Sequence, residues 1–247
     1  MRFVLVHGGF HGAWCWTKLT PELEALGHEV VAIDLPGAGE RMHERATLAS
    51  WRGALREVVE DGDVLVGHSQ GGFGISLAAD EMPDKIARLV YLSAAVPIQG
   101  KSQIEAAPQA NDWPETIGMP EEDYRAIIEL PEQGPCVAIT NPEAANKVFY
   151  HDCTPEDQAW AFERLTPLVV APTLEPFDIP RFWEAPIPRD FIMCSDDYSH
   201  PVSSDNEFMR RLGLSTCFSI RSSHSPFVSR PADTAQLLDL CARGTLS

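Results

Sequence analysis

Basic residues are scarce in this chain: 19 lysines and arginines stand against 36 aspartates and glutamates, which gives a formal net charge of −17. Such an acidic surface repels nucleic acid and anionic membranes, so we expect neither as a partner. The sequence also lacks an apolar run long enough to span a bilayer and lacks a signal-peptide pattern before its first strand-like run. We therefore expect a cytoplasmic protein that binds a small molecule, and the composition leaves open whether two copies form a homodimer.

The usual signs of a disulfide framework, a metal site or a nucleotide site are missing as well. The six cysteines contain no C-x-x-C pair and follow no regular spacing, which favours reduced thiols. His7 and His11 would make a metal-ligand pair only on a helix, whereas His7 ends a strand-like run and glycines follow it. The loop HGGFHGAW is not followed by Lys-Ser or Lys-Thr and does not fit G-x-G-x-x-G. We therefore expect no metal and no cofactor.

Short apolar, β-rich runs alternate with amphipathic segments along most of the chain. This alternation is typical of a parallel sheet flanked by helices. The predicted strands are 2–6, 29–34, 63–68, 86–93, 189–195 and 215–220. The predicted helices are 16–27, 46–60, 71–82 and 230–242.

The alternation stops in one long central segment. Residues 97–188 hold 14 of the 20 prolines of the chain. We predict one α/β core, residues 1–96 and 189–247, interrupted by a cap subdomain of residues 97–188. A cap over the carboxyl ends of the strands would cover the edge of the sheet where ligands bind in such folds.

The stretch VLVGHSQGG, residues 64–72, contains the pattern G-x-S-x-G at Gly67, Ser69 and Gly71. A strand-like run precedes it and a helix-like run follows it, so the serine lies on a sharp strand-to-helix turn. In such a turn, glycines on both sides let neighbouring backbone approach without Cβ clashes. A serine hydroxyl there projects from the top of the sheet, and it becomes a nucleophile once a base removes its proton. Ser69 is therefore the candidate nucleophile.

The partners of this serine should follow it in the chain order acid, then histidine. Among the eight histidines, His224 alone lies between the last predicted strand and the last helix, although His151 and His200 are harder to exclude than the others. The preceding strand ends at two adjacent carboxylates, Asp196 and Asp197. We favour Asp197 as the acid that holds the imidazole in its useful tautomer, with Asp196 as a capping or surface residue.

An oxyanion hole needs two backbone N–H groups aimed at the developing negative charge. The residue after the nucleophile, Gln70, is expected to provide one of them. The first strand–helix loop is expected to provide the other, with Gly9 preferred and Phe10 as the alternative.

The stretches FVLVHGGFHGAWCW, GHSQGG, CTPEDQAWAFERL and FIMCSDDYSHP resemble a branch of the α/β-hydrolase superfamily that includes plant methylesterases and hydroxynitrile lyases. They are also similar to compact bacterial esterases related to pyrethroid hydrolase. The resemblance implies an α/β-hydrolase fold with about six mostly parallel strands flanked by helices, and with a helical cap inserted after the fourth strand. It implies the same site: catalytic Ser69, His224 and Asp197, with Gly9 and Gln70 as oxyanion donors.

The same resemblance helps to choose between reactions. Hydroxynitrile lyases of this branch carry a threonine where this chain has Gly8 and a lysine where it has Ser225. We therefore expect a serine hydrolase that cleaves a carboxylic ester of a small to medium hydrophobic substrate through an acyl-enzyme. The alternatives are a lactone or C–C bond hydrolase, a hydroxynitrile-lyase-type enzyme on the same fold, and a non-catalytic receptor for a small ligand.

Overall fold

The computed structural model of the chain describes residues 1–107 and 113–244. Within these residues the strands are β1 (Arg2–Val6), β2 (Glu29–Ile33), β3 (Asp63–His68), β4 (Ile86–Leu92), β5 (Arg125–Leu130), β6 (Gly134–Ile139), β7 (Leu168–Val169), β8 (Arg189–Cys194) and β9 (Phe218–Ile220). Six of them form one parallel sheet in the order β2-β1-β3-β4-β8-β9. The parallel six-stranded sheet expected from the sequence is therefore confirmed.

Helices connect and cover these strands. The α-helices of the described residues are α1 (Leu19–Ala25), α2 (Leu48–Val58), α3 (Gly71–Glu81), α4 (Gln103–Ala106), α5 (Trp113–Ile117), α6 (Pro142–Phe149), α7 (Pro155–Phe162), α8 (Ala171–Leu174), α9 (Pro180–Glu184), α10 (Val202–Leu212), α11 (Pro226–Ser229) and α12 (Pro231–Ala242). Short 3-10 helices lie at Ala13–Lys18, Gly39–Arg41, Pro83–Lys85 and Glu121–Asp123. Among the residues that the structure describes, no helix has the length and hydrophobicity needed to cross a bilayer.

The central strand β3 shows why this sheet is buried on both faces. All of its residues are buried, and their side chains alternate between the two faces. Val64 and Val66 belong to an apolar cluster with Trp16 on one face, and Leu65 belongs to a cluster with Phe73 on the other. A strand that helices cover on both faces has a continuous apolar sequence, as in the run VLV of this strand.

The helix predicted over residues 16–27 differs from the observed structure. A 3-10 helix covers Ala13–Lys18, and the α-helix α1 begins only at Leu19. Pro21 explains this start, because proline has no N–H to donate and fits an α-helix only within its first turn. Pro21 therefore fixes where the regular helix begins.

The segment between β4 and β8 contains helices, as expected, and also a small sheet that the sequence analysis did not anticipate. Strands β5 and β6 form an antiparallel hairpin, and β7 pairs with β6. The described prolines of this segment lie at helix starts and in loops, except Pro135, which is the second residue of β6. The two strands of the hairpin have the sequences RAIIEL and GPCVAI. Residues 108–112 of the predicted cap lie outside the described residues.

Candidate active site

Ser69 occupies a strained turn between β3 and α3. Its φ angle is 51°, in the left-handed region that non-glycine residues rarely adopt. The turn packs tightly against neighbouring backbone: a Cβ on Gly71 would clash with the carbonyl oxygen of Val6, and a Cβ on Gly72 with that of Ala95. These glycines allow α3 to begin directly against the sheet, so Ser69 lies at the carboxyl ends of the strands.

His224 and Asp197 form a buried pair next to this turn. The Nδ1–H of His224 donates to Oδ2 of Asp197 over 2.6 Å, and both side chains are almost completely buried. Asp197 accepts three further hydrogen bonds, one on Oδ2 from the hydroxyl of Ser93 at 2.6 Å and two on Oδ1 from the backbone N–H groups of Ser199 and His200 at 2.7 and 2.9 Å. Each oxygen of this carboxylate therefore accepts two hydrogen bonds, which fix its orientation.

The environment keeps Asp197 ionised. Burial alone would raise its pKa, but the charge and hydrogen bond of His224 and the Ser93 hydroxyl outweigh burial and lower the pKa below its ordinary value. The adjacent Asp196 lies elsewhere: it is partly exposed and accepts a hydrogen bond from Arg221 Nε at 3.1 Å. The structure thus brings Asp197, and not Asp196, to the imidazole.

His68 connects the loop that carries His224 to the turn that carries Ser69. The Nε2–H of His68 donates to the backbone carbonyl of His224 over 2.8 Å, and the two rings lie 4.5 Å apart between centroids. No hydrogen bond joins the Ser69 hydroxyl to His224 in the part of the chain that the structure describes. Catalytic hydrogen bonds are often loose before substrate binds, so this arrangement is compatible with proton transfer. The structure therefore places the three predicted residues in one neighbourhood and pairs two of them.

The loop after β1 lies directly against Ser69. A Cβ on Gly8 would come within 2.7 Å of Ser69 Cβ, so the loop can approach this closely only because Gly8 has no side chain. Gly9, Ser69 and Gln70 line the same cavity. Within the described residues, no hydrogen bond uses the backbone N–H of Gly9 or of Gln70, so both groups are available to a ligand. Phe10, the alternative donor, has a φ of 66° and marks the turn of this loop.

A pair of side chains that the sequence analysis missed supports this loop. The Nδ1–H of His11 donates to the carbonyl of Gly9 over 2.8 Å, and its Nε2 accepts from the hydroxyl of Tyr150 at 2.6 Å. Burial lowers the pKa of His11 to about 3, so the ring stays neutral and keeps this tautomer. His7 is occupied in a similar way, since its ring contacts Gly8 and Leu35 backbone. The side chains of His7 and His11 thus hold the backbone of this loop in place through hydrogen bonds.

A cavity of about 690 Å³ opens over Ser69. Phe73, Phe149, Leu168 and Phe208 give it apolar walls, and segment 97–188 supplies Phe149 and Leu168. No group of histidine, cysteine and acidic side chains in the described ranges has the arrangement of a metal site.

Two polar residues in the cavity wall, Gln103 and His200, were not assigned a role from the sequence. The amide of Gln70 donates to Gln103 Oε1 over 2.8 Å, while the amide nitrogen of Gln103 is buried without a partner among the described residues. The ring of His200 lies 5.0 Å from that of His224. The sequence offered no signal for Gln103, whose position depends on how the central segment folds back.

Asp205 in α10 is a buried carboxyl that no described residue satisfies. It is fully buried, and neither of its carboxyl oxygens has a hydrogen-bond partner in the described part of the chain. Burial raises the pKa of Asp205 well above its ordinary value, and the nearby charge of Asp197 acts in the same direction. The folded protein therefore holds Asp205 protonated over a pH range in which the unfolded chain ionises it.

This linkage predicts a pH-dependent stability. A raised carboxyl pKa favours folding fully below the unfolded pKa, and this contribution is lost as pH rises toward the folded pKa. Asparagine cannot ionise, so Asp205→Asn should abolish this pH-dependent loss, and its free energy of unfolding relative to the parent should be higher at pH 8 than at pH 4.5. Urea unfolding at pH 4.5 and pH 8 measures it, with the exposed Asp84→Asn as control. An identical pH slope in Asp205→Asn and the parent would contradict the prediction.

Comparison with known proteins agrees with this architecture. Residues 3–237 match the alpha/beta hydrolase family. Norfluorocurarine synthase 2 of Strychnos nux-vomica is 33% identical over 253 residues, 96% of this chain and 93% of that protein. Methylesterase 7 of Arabidopsis thaliana is 30% identical over 253 residues, 96% of this chain and 94% of that protein.

The crystal structure of polyneuridine aldehyde esterase superimposes with a TM-score of 0.79 at 30% identity, covering 97% of this chain and 98% of that one. The resemblance that the sequence motifs predicted is thereby confirmed. The match covers most of the chain, and the chain belongs to the alpha/beta hydrolase family.

Proposed function

We propose that this chain is a serine ester hydrolase in which Ser69 is the nucleophile, His224 the general base and Asp197 the residue that orients the base. The proposal is carried by the buried 2.6 Å hydrogen bond from His224 Nδ1 to Asp197. A carboxylate on Nδ1 selects the tautomer whose Nε2 lone pair can accept a proton. Relatives that are named as esterases support an ester as the bond that is cleaved.

The reaction proceeds through an acyl-enzyme. The Ser69 oxygen attacks the ester carbonyl carbon while its proton passes to His224 Nε2, and the N–H groups of Gly9 and Gln70 stabilise the oxyanion. The C–O bond to the alcohol then breaks, and His224 gives its proton to the leaving oxygen. Water attacks the acyl carbon in the second half and passes its proton to His224. Collapse releases the acid and returns the proton to Ser69.

The cavity favours an uncharged, largely hydrophobic substrate. Its walls are mostly aromatic and aliphatic, and the charged residues Glu121 and Arg125 that line it form an ion pair at 2.6 Å. A paired arginine gives a substrate carboxylate little net attraction, because the acidic partner offsets its charge. The cavity of about 690 Å³ accommodates a small to medium ester.

Two positions favour ester hydrolysis over cyanohydrin cleavage. A side chain at position 8 would meet Ser69 Cβ at 2.7 Å, so the threonine of the lyases has no room in this loop as it stands. Ser225, where the lyases carry a lysine, is fully buried and uncharged. Position 225 therefore offers no cation to departing cyanide.

The segment 97–188 is proposed to be the cap of this site. Its contribution of Phe149 and Leu168 to the cavity wall supports that role. A cytoplasmic location is proposed on the six cysteines, all of which are free thiols in the structure. The homodimer stays a prediction.

Labelling with a fluorophosphonate tests the proposed nucleophile. The folded protein should gain one phosphonyl group on the peptide that contains Ser69, as read by mass spectrometry, because an activated serine attacks phosphorus as it attacks an ester. Ser69→Ala should not be labelled. Ser219→Ala, which removes an exposed hydroxyl on β9, should be labelled like the parent.

Activity assays complete this test. Short p-nitrophenyl esters should be hydrolysed, and mandelonitrile should not be cleaved. Faster turnover of mandelonitrile than of every ester would favour the lyase alternative. A folded protein that is neither labelled at Ser69 nor active on any ester would be a receptor, and the proposal would be wrong.

A further inference from the structure

His200 is a histidine of the cavity wall that the proposed mechanism leaves unused. It lies on the loop of Asp197, between β8 and α10, and its backbone N–H donates to Asp197 over 2.9 Å. Its ring Nδ1 lies 2.9 Å from the carbonyl oxygen of Ser93. A carbonyl oxygen can only accept, so Nδ1 must carry the proton of the neutral ring. The orientation and the tautomer of His200 are thus both fixed.

The other ring nitrogen, Nε2, is then an acceptor, and His200 is one of the residues that line the cavity. No hydrogen bond among the described residues uses this atom, and the ring keeps partial exposure where it lines the cavity. Burial lowers the pKa of His200 to about 4, with His224 acting in the same direction and Asp197 against it. At neutral pH the Nε2 lone pair is therefore available to a ligand.

The position of this acceptor is close to the proposed chemistry. The His200 ring stands edge-on to His224, with centroids 5.0 Å apart, and contacts Phe208 at 5.5 Å. The neighbours of this ring are therefore the aromatic side chain of Phe208 and the proposed base, His224. A group that meets Nε2 belongs to the part of the substrate next to the reacting carbonyl.

We propose that His200 determines specificity by accepting a hydrogen bond from a neutral hydroxyl or amide N–H that the substrate carries beside its scissile ester. This inference rests on the proposed ester hydrolysis at Ser69. A substrate with such a donor replaces the water that would otherwise solvate Nε2. A purely hydrophobic ester displaces that water and leaves a buried acceptor unpaired. The substrate class is therefore hydroxy or amido esters with a hydrophobic remainder.

Three methyl esters test this assignment. Methyl mandelate carries a hydroxyl next to the ester, methyl phenylacetate lacks it, and methyl 2-methoxy-2-phenylacetate has the oxygen without a proton to donate. The parent should prefer one enantiomer of methyl mandelate to both others by about tenfold in kcat/KM, the scale of one net hydrogen bond. Methyl phenylacetate is smaller than methyl mandelate and the methoxy ester is larger. A preference for methyl mandelate over both therefore reports its hydrogen-bond donor and not its size.

Variants of His200 distinguish the role of its Nδ1, which binds the Ser93 carbonyl, from the role of its Nε2. In His200→Asn the amide N–H can still reach Ser93 O, but nothing replaces the Nε2 acceptor, so the preference for methyl mandelate should disappear. His200→Gln places an amide oxygen near the former Nε2 position and should retain part of the preference. The matched control is His151→Asn, a histidine on a neighbouring loop that hydrogen-bonds the Asp196 carbonyl outside this cavity. It should leave the preference unchanged.

A binding measurement keeps this test separate from the proposed function. Calorimetry on Ser69→Ala and on Ser69→Ala/His200→Asn gives the affinity of the three esters without turnover. The first protein should bind methyl mandelate about tenfold more tightly than the others, and the second should not discriminate. Equal affinities in both proteins, or no binding of any of the three esters, would overturn the role of His200. Absence of labelling and hydrolysis with intact discrimination would overturn only the esterase.

Discussion

Ser69→Ala and His224→Ala are each expected to lower kcat for a p-nitrophenyl ester by about a millionfold, and the double variant is expected to lose no more. The hydroxyl and the imidazole act as one unit, because the proton that leaves Ser69 is the proton that His224 accepts. Once either group is missing, the other has no step left to catalyse. The remaining rate would come from the N–H groups of Gly9 and Gln70 and from binding.

Steady-state kinetics on the four proteins measure this non-additivity. Circular dichroism and urea unfolding must show that the variants fold, since His224 is buried and its replacement leaves a cavity. Additive losses, with the double variant far below each single one, would show that the two residues do not share a proton. A loss of less than about a hundredfold in Ser69→Ala would place the nucleophile elsewhere.

Asp197→Asn is expected to lower kcat by about four orders of magnitude with little change in fold. The hydrogen bonds around Asp197 explain the size of this effect. Two backbone N–H groups donate to Oδ1, so the amide oxygen of the asparagine must take that position. Its NH₂ group then faces Nδ1 of His224 and forces the proton onto Nε2. An imidazole in that tautomer cannot accept the proton of Ser69.

Asp196→Asn is the matched control, because it makes the same substitution at the neighbouring carboxylate. Its side chain is partly exposed and meets Arg221 at 3.1 Å, a surface pair that contributes little. We expect kcat within about twofold of the parent. Severe loss in Asp196→Asn with normal activity in Asp197→Asn would reverse the assignment of the acid.

The elements that could be predicted from the sequence are those whose structure restricts the residue types at neighbouring positions. Strand β3 and the turn at Ser69 could be placed because burial on both faces requires an unbroken apolar run, and the turn requires glycines. The predicted strand over 215–220 begins in the structure only at Phe218. Among the described residues this edge strand pairs with β8 alone, over three residues, so the residues before Phe218 find no strand partner there.

Other features depend on contacts between distant parts of the chain. The hairpin of β5 and β6 lies in a proline-rich segment whose pattern suggested no strands, and α10 has a polar sequence with only a narrow apolar stripe at Phe208, Met209 and Leu212. The hydrogen bond between Tyr150 and His11 joins residues 139 positions apart. The fixed tautomer of His200 depends on a carbonyl 107 residues earlier. Spacing along one sequence carries no information about such pairs.

The order of the strands has a consequence for how the protein acquires activity. The loop of Gly9 follows the first strand, whereas His224 follows the last, and β3, β4 and β8 lie between β1 and β9 in the sheet. Contacts between such distant residues form slowly, because long loops must close first. A nascent chain still held at the ribosome before residue 224 emerges would therefore hydrolyse nothing. Recovery of turnover after dilution from denaturant should report completion of the entire sheet and not of an early intermediate.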